Sequence, residues 1–268
     1  MAVRISQELK RLLPQLRYES TAKRLRAKLG DALVLDSQRA VVLWEPDRYL
    51  PVHAVPADDV VARLEPDPSP DAVPPERPGP PSSPFPFAPH TADGEQLAVC
   101  VGGTLVPGAA FRLADPDLAG YVAFDTDAFS WFEEEEPILG HPRDPFSRID
   151  VRASKAHVRV LLGGVVLADS ASTVRLFEGR LPPRSYFHPD DVRWEHLVPD
   201  PLRTVCPYKG VAKYWAAPGL GDGRPVAWSY GPYFPEMLQI QDRIAFFDER
   251  VDVEVDGVVQ GRPRTTWS

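Results

Sequence analysis

The chain has 268 residues, of which 43% are hydrophobic and 25% are charged, and this balance excludes a disordered or fibrous protein. Its length is enough for one large domain or two ordinary ones. A net charge of −8 repels the phosphates of nucleic acids, so we expect no nucleic-acid partner.

The N-terminal segment, residues 1–17, carries apolar residues at helical spacing. Ile5, Leu9 and Leu12 belong to this series, which predicts a short amphipathic helix that covers an exposed edge of the core. The segment lacks the uninterrupted apolar stretch of about 7–15 residues that a signal peptide needs. Apolar runs elsewhere are far below the roughly 20 residues that span a bilayer. We therefore expect a cytoplasmic protein with no membrane partner.

Short β-strands dominate the rest of the sequence. Apolar and polar residues alternate in the stretches RLRAKLGDALVLDS and HVRVLLGGVVLADS. At their centres, Gly30-Asp31 and Gly163-Gly164 suit two-residue hairpin turns. Prolines and glycines separate further short apolar segments. This pattern predicts a mainly β fold of antiparallel sheets, with helix confined to the N-terminus and to short segments opened by Pro116 and Pro235.

An internal repeat divides the chain into two parts. LVLDS at 33–37 recurs as VLADS at 166–170, and the Asp-Asp-Val and Pro-Asp-Pro triplets that follow recur at an offset of 132 or 133 residues. The order and the offset hold over about 50 residues, which favours two copies of one fold. We therefore expect tandem domains at 18–148 and 149–268.

The copies differ at a proline-rich insertion, residues 66–90, in which 11 of 25 residues are proline. This composition favours extended polyproline and cannot form the interior of a sheet, so we expect a surface loop. An alternative function is a protein-interaction scaffold that uses this tract and the acidic run from Glu133 to Glu136. We expect that run to pair with arginines across the domain boundary, with an acid/base pair beside His141 as the alternative.

Metal and cofactor sites are not indicated. Cys100 and Cys206 form no CxxC pair, and the six histidines show no zinc-ligand spacing, so we expect no metal and no cofactor. A cytosolic compartment argues against a disulfide. Gly102-Gly103 followed by Asp115 and Asp117 loosely resembles the pattern of nucleotidyltransferases, although Asp115 is more simply a helix cap.

Aromatic residues concentrate in the second copy, where residues 186–234 contain ten of them, about twice the number that the composition predicts. Alternation places Lys213 and Trp215 on one face of a strand, and Trp228 with Tyr230 on one face of another. Such rings beside cations suit a preorganised pocket, and an aromatic core is the alternative. The candidate ligand-binding residues are Arg184, Tyr186, Cys206, Tyr208, Lys209, Tyr214, Trp215, Trp228 and Tyr230.

The segment Cys206-Pro207-Tyr208-Lys209-Gly210 lies at the centre of this region. A cysteine reacts as its thiolate, which a nearby cation such as Lys209 stabilises. An enzyme with Cys206 as nucleophile and Lys209 as its activator is therefore one alternative. A buried, inert cysteine is the other.

The motifs VLADS, LPPRSYF, HPDDV, CPYKG, AKYW, AWSY and AFFDERVDV follow one another in the second copy. In this order they resemble the domain-of-unknown-function 427 family, strongly over residues 150–255 and more weakly over 18–148. The resemblance implies a β-tent fold, in which two antiparallel sheets meet at an angle over a cleft, and it emphasises Cys206, Tyr208 and Lys209. It supplies no established activity. The first copy lacks CPYKG, so we expect no equivalent site there.

The leading hypothesis is a pair of tandem β-tent-like domains that bind a small organic molecule in the open cleft of the second. Its apolar walls would include Trp215, Trp228 and Tyr230. Lys209 and Arg184 would face an anionic or carbonyl-bearing group of the ligand.

Overall fold

The computed structural model describes residues 2–68, 86–179, 181–265 and 268. The chain forms two compact units, Met1–Asp144 and Pro145–Ser268. Their boundary lies four residues before the one expected from the repeat. Within the described residues, no helix has the length and apolar character needed to cross a membrane.

The first unit begins with helix α1, Ile5–Arg11, and continues as strands joined by turns and short 3-10 helices. The 3-10 helices are Ala57–Asp59, Pro116–Leu118 and Thr126–Ala128. The strands are β1 (Arg17–Ser20), β2 (Leu25–Leu29), β3 (Ala32–Ser37), β4 (Val41–Trp44), β5 (Val52–Pro56), β6 (Arg63–Pro66), β7 (Gly94–Val101), β8 (Thr104–Leu113), β9 (Tyr121–Phe124), β10 (Ser130–Glu133) and β11 (Glu136–Pro137).

The second unit is built in the same way, from short strands and 3-10 helices. The 3-10 helices are Pro189–Asp191, Trp194–His196 and Pro235–Ile240. The strands are β12 (Ile149–Ser154), β13 (Val158–Leu162), β14 (Val165–Ser170), β15 (Thr173–Glu178), β16 (Arg184–Phe187), β17 (Val198–Cys206), β18 (Gly210–Ala216), β19 (Pro225–Tyr230), β20 (Ile244–Phe246), β21 (Asp252–Val255) and β22 (Val258–Val259).

Each unit contains a seven-stranded and a four-stranded antiparallel sheet, which confirms the predicted mainly β class. The first unit has the orders β1-β4-β5-β9-β8-β7-β6 and β11-β10-β2-β3. The second has β12-β15-β16-β20-β19-β18-β17 and β14-β13-β21-β22. Counted from the start of each unit, the seven-stranded sheets follow the same order, and every strand of a sheet comes from one unit.

Each seven-stranded sheet buries side chains on both faces. In the second unit, one face packs against the four-stranded sheet, so that Phe187 and Phe246 meet Val160 and Leu167. The opposite face, which we call the outer face, carries a separate cluster that includes Tyr186 and Trp228. Because successive side chains of a strand point to opposite sides, neighbours such as Tyr186 and Phe187 contribute to different clusters.

The N-terminal segment differs from its prediction. The helix spans Ile5–Arg11, none of its residues is buried, and Ile5 is 75% exposed. The helix therefore does not cover the core. Leu16, beyond the helix, contacts the outer-face cluster of the first unit, which includes Leu43 and Phe111. Arg17 already begins β1, which pairs with β4. The 3-10 helices are also more numerous than the two short segments predicted.

Only the ends of the proline-rich insertion are described, so the expected surface loop at 69–85 lies outside the described residues. Pro66 ends β6 and pairs with Leu97. At the far end Phe87 is buried, and Arg48 donates hydrogen bonds to the carbonyl oxygens of Pro86 and Pro89. Phe87 thus belongs to the core of the first unit, whereas Pro86 and Pro89 are exposed.

The acidic run was wrongly predicted to pair across the domain boundary. Glu133 forms an ion pair with Lys23, and Glu135 forms one with Arg26 at 3.0 Å. These cations lie in or just before β2, which pairs directly with β10. Strand pairing within the first unit therefore supplies the partners.

Candidate functional site

Aromatic rings meet on the outer face of the second unit's seven-stranded sheet. Tyr214 of β18 lies opposite Trp228 of β19, and both Trp228 and Tyr186 lie opposite Ala245 of β20. Residues opposite each other in antiparallel strands point to the same side, so these rings share one face. Tyr230 follows two residues after Trp228 and points the same way.

The rings form a closely packed group rather than the walls of an open cleft. The indole Nε1 of Trp228 donates to the hydroxyl of Tyr186 at 3.2 Å, and the Trp228 and Phe247 ring centroids are 4.6 Å apart. None of the four predicted rings on this face is more than 8% exposed. The expected cleft is thus filled by its own side chains.

Lys209 reaches the same face from the hairpin turn between β17 and β18. Its backbone N–H donates to the carbonyl oxygen of Cys206 at 3.2 Å, which closes the turn. Gly210 follows with φ +103°, where an added Cβ would lie 2.6 Å from the Cβ of Tyr233, so glycine is required there. The turn carries the Lys209 side chain inward, and the residue is only 7% exposed.

The ammonium of Lys209 is neutralised by a carboxylate of the protein. Nζ of Lys209 forms an ion pair with Oε2 of Glu178, at the end of β15, and lies 5.8 Å from the centroid of the Tyr230 ring. Burial lowers the pKa of Lys209, but the acidic groups of Cys206, Glu178 and Tyr186 outweigh this effect and raise it above its ordinary value. Lys209 is therefore a fixed cation and not a proton donor or acceptor near neutral pH.

Burial keeps the neighbouring phenols in their neutral form. It raises the pKa of Tyr186 to about 12, against a lowering effect of Lys209, and raises the pKa of Tyr230 well above its ordinary value. Burial also raises the pKa of Tyr214 above its ordinary value. The hydroxyl of Tyr214 lies 2.6 Å from Oγ1 of Thr204. The face therefore presents hydroxyl groups that can donate as well as accept hydrogen bonds.

Arg184 is the second buried cation of this face. Its Nη2 donates to Oε1 of Glu249 at 2.5 Å, its Nη1 lies 3.4 Å from Oδ2 of Asp248, and its guanidinium lies 5.6 Å from the centre of the Trp228 ring. Nη1 is buried without a hydrogen-bond partner in the described part of the chain. Burial raises the pKa of Asp248 to about 6, although Arg184 acts in the opposite direction.

The structure separates Trp215 from the other candidates. It lies opposite Ala227, one position away from the Tyr214–Trp228 pair, so it points to the other side of the sheet. There it packs against the core between the sheets, with Trp194 at a centroid distance of 5.6 Å. The inclusion of Trp215 in the cleft wall was therefore wrong.

Cys206 and Tyr208 are only partly buried. Cys206 contacts the outer-face cluster, and its electrostatic effect extends to Lys209, Tyr186, Tyr214 and Tyr230. The structure thus brings together seven of the nine predicted residues in one neighbourhood, with Tyr208 on the connecting turn. Those seven are Arg184, Tyr186, Cys206, Lys209, Tyr214, Trp228 and Tyr230.

Sequence reasoning missed the carboxylates that complete the site, Glu178, Asp248 and Glu249. One signal was available for Glu178. The offset of 133 residues that relates the two copies also relates Glu178 to Glu45. Glu45 is buried, 3% exposed, and follows β4 of the first unit, whereas Glu178 is partly buried. Two carboxylates at equivalent strand ends indicate a polar position built into the fold.

The first unit surrounds its carboxylate differently. Glu45 accepts hydrogen bonds from the backbone N–H groups of Thr91 and Ala92 at 2.6 and 3.1 Å, and Nδ1 of His90 lies 2.8 Å from its Oε1. The His90 ring stacks on Phe111 at 3.7 Å between centroids. By strand register, the positions that carry Arg184, Tyr186, Trp228 and Tyr230 in the second unit carry Val52, Ala54, Phe111 and Leu113 here.

The residues that resembled a nucleotidyltransferase have structural roles. Gly102 and Gly103 form the turn between β7 and β8, with φ values of +58° and +80°. Oδ1 of Asp115 accepts from the backbone N–H of Asp117 at 2.9 Å, which caps the 3-10 helix that follows. In the described ranges, no group of three or more His, Cys, Asp or Glu side chains is arranged to hold a metal ion.

Comparison with known proteins identifies one family. Residues 150–257 match the family described as Domain of unknown function (DUF427). The chain has no match among curated proteins. The matched segment contains the whole outer-face cluster described above and lies within the second unit, which therefore belongs to the DUF427 family.

Proposed function

We propose that the second unit binds a small organic molecule at the outer face of its seven-stranded sheet. The observation that carries the proposal is the concentration of charged groups among buried aromatic rings. Removing two opposite charges from water usually costs more free energy than their mutual attraction returns. A buried ion pair therefore contributes little to the stability of a fold. Buried charges with perturbed pKa values, such as those of Lys209 and Asp248, are typical of functional sites.

The ligand must displace a cover, because the rings are buried. The 3-10 helix Pro235–Ile240 contributes fully buried Ile240 and partly buried Met237 to the cluster. Short 3-10 segments have poorer hydrogen-bond geometry than sheets, so this cover can open at lower cost than the strands beneath it. Partly exposed Cys206 and Glu178 mark the side from which a ligand would enter.

The proposed ligand is neutral and carries a carbonyl or amide group beside an apolar ring. An anion is less suited, because Lys209 and Arg184 each already have a carboxylate partner. Nη1 of Arg184 is a donor for a carbonyl oxygen, and Trp228 and Phe247 supply apolar surface beside it.

We expect benzamide to bind more tightly than benzoate, a probe of the same size that differs in charge. Titration of each into the full chain, followed by tryptophan fluorescence and by ligand-observed NMR, measures the two affinities. Trp228→Phe should weaken benzamide binding about three- to tenfold, because one large aromatic contact is reduced. Trp215→Phe is the matched control and should leave binding unchanged. Tighter binding of benzoate, or equal losses in both variants, would contradict the proposal.

An enzyme with Cys206 as nucleophile is a second candidate, favoured by the electrostatic coupling of Cys206 to the Lys209 ammonium. We expect iodoacetamide at pH 7 to label Cys206 about tenfold faster than it labels N-acetylcysteine, because a nearby cation favours a thiolate. Cys100 does not serve as the reference, since Nη2 of Arg63 lies 3.6 Å from its Sγ. The carbamidomethylated Cys206 is counted by mass spectrometry after digestion, and a rate no faster than that of N-acetylcysteine would remove the catalytic candidate and leave the binding site.

We also infer that the two units are copies of one β-tent-like fold. The shared order of their seven-stranded sheets supports this, as does the recurrence of Glu45 at Glu178. The difference between their outer faces supports a ligand site in the second copy alone. In the first, apolar side chains and the stacked His90 occupy the corresponding positions.

A further inference from the structure

The side of the second unit's seven-stranded sheet opposite the outer face is open to solvent near the edge strand β17. Arg203 of β17, Lys213 of β18 and Ser229 of β19 lie opposite one another in the strand register, so their side chains point to the same side. Ser229 is buried, whereas Lys213 and Arg203 are exposed. The core between the two sheets therefore ends before β17, and this side of β17 and β18 forms a surface.

Two tryptophans lie on this surface. Trp215 is partly exposed, follows Lys213 by two residues and points to the same side of β18. Trp194 is 38% exposed, and its ring meets that of Trp215 at a centroid distance of 5.6 Å and an angle of 64° between the ring planes. Nε1 of Trp194 donates to the carbonyl oxygen of Pro189 at 2.9 Å, which holds the ring in place. Exposed apolar groups that cluster, unlike single ones, mark interaction surfaces.

The two cations beside these rings lack an acidic partner. Arg203 and Lys213 are directly opposite each other, and like charges in this arrangement are destabilising. In the part of the chain that the structure describes, neither forms an ion pair with an acidic side chain. Nη1 of Arg203 donates to the carbonyl oxygens of Asp200 and Leu202 at 2.9 and 2.6 Å, which fixes the guanidinium. A carboxylate from a partner would relieve the repulsion.

The spacing of the rings and the cations suits an extended peptide. Trp215 and Lys213 are separated by two strand positions, which is about 6.6 Å along β18. A polyproline II segment advances about 3.1 Å per residue, so a proline and an acidic residue two positions away span a similar length. The carbonyl groups of such a segment form no internal hydrogen bonds and can accept one from the indole N–H of Trp215. Proline-rich segments also dock on aromatic surfaces in their preformed conformation.

We propose that the surface formed by Trp194, Trp215, Arg203 and Lys213 binds an acidic, proline-rich peptide segment of a partner protein. Prolines pack on the two indoles, and a carboxylate lies between the two cations. A nucleic-acid strand also combines rings with negative charge, but it places a phosphate at every nucleotide, and the net charge of −8 repels it. Because Trp215 and Tyr214 point to opposite sides of β18, this surface is independent of the ligand proposed for the outer face.

The test is a titration of the full chain into fluorescein-labelled peptides of 12 residues, followed by fluorescence anisotropy. We expect a peptide of four Glu-Pro-Pro repeats to bind about tenfold more tightly than one of four Lys-Pro-Pro repeats, which tests the charge, or one of four Glu-Ala-Ser repeats, which tests the proline. Equal binding of the acidic and basic proline peptides, or of the two acidic peptides, would overturn the proposal. Tighter binding of a 12-nucleotide oligothymidylate would also overturn it, in favour of a nucleic acid.

Variants place the peptide on this surface. Trp194→Ala and Lys213→Met alter exposed side chains and should each weaken binding of the Glu-Pro-Pro peptide about fivefold. Lys155→Met removes another exposed lysine of the same unit, and Trp228→Phe alters the outer face, so both controls should bind the peptide normally. Unchanged affinity in Trp194→Ala and Lys213→Met, or equal losses in the controls, would refute the assignment.

Discussion

Replacing Lys209 with methionine is expected to destabilise the second unit by about 3–5 kcal/mol, because it leaves the Glu178 carboxylate without its buried partner. The Lys209 side chain is 8% exposed and that of Glu178 is 16% exposed, so water compensates little for the loss. Urea unfolding of the full chain, followed by tryptophan fluorescence, measures the change in the free energy of unfolding.

Removing both charges together separates charge pairing from simple loss of packing. The double variant Lys209→Met with Glu178→Leu should recover most of the stability, because hydrophobic replacement of a buried ion pair is often neutral or stabilising. Lys213→Met, at an exposed position of β18, should change stability by less than about 0.5 kcal/mol. A single Lys209→Met variant as stable as the wild type would show that the pair is not buried in solution.

The first unit is expected to lose about 3 kcal/mol of stability between pH 5 and pH 2 through one carboxylate, Glu133. Burial raises the pKa of Glu133, but its interactions with His53 and Lys23 outweigh this and lower it from 4.5 to about 2. The folded state thus binds the proton less readily than the unfolded chain. The stabilisation is complete above pH 4.5 and is lost as the pH falls towards 2.

Glu133→Gln should flatten this part of the pH profile, and Glu136→Gln, at an exposed position three residues away, should not. His53 adds a loss at higher pH, because burial lowers its pKa and the unfolded chain takes up the proton below about 6.5. Thermal unfolding of each variant between pH 7 and pH 2 gives the profiles. Parallel profiles for Glu133→Gln and the wild type would refute the assignment.

The strands of the fold were accessible from the sequence because their signals are local. The stretch around Gly163-Gly164 alternates apolar and polar residues and turns in two residues, and it forms β13 and β14 as predicted. The N-terminal helix was predicted for the same reason. Its burial was not, because the spacing of Ile5 and Leu9 states which residues share a face but not whether that face meets another element.

The candidate site depends on long-range pairing, which the sequence does not display. Alternation along β18 separates Tyr214 from Trp215, but only the register with β19 shows that Tyr214 accompanies Trp228. Lys209 was recognisable as a cation next to aromatic residues. Its partner Glu178 lies 31 residues earlier in the chain. Glu178 ends β15, and three other strands of the sheet lie between β15 and β18. The sequence also does not show that the aromatic rings of this face pack against one another and fill the expected cleft.

The strand orders have a practical consequence for spectroscopy. Because every ladder of hydrogen bonds joins strands from the same half, a break between Asp144 and Pro145 would leave both sets of sheets intact. Ligation at that junction would allow segmental isotope labelling, in which only residues 145–268 carry the NMR-active nuclei. The resonances of the Trp228 indole and the Tyr230 ring could then be followed during titrations without overlap from the other half.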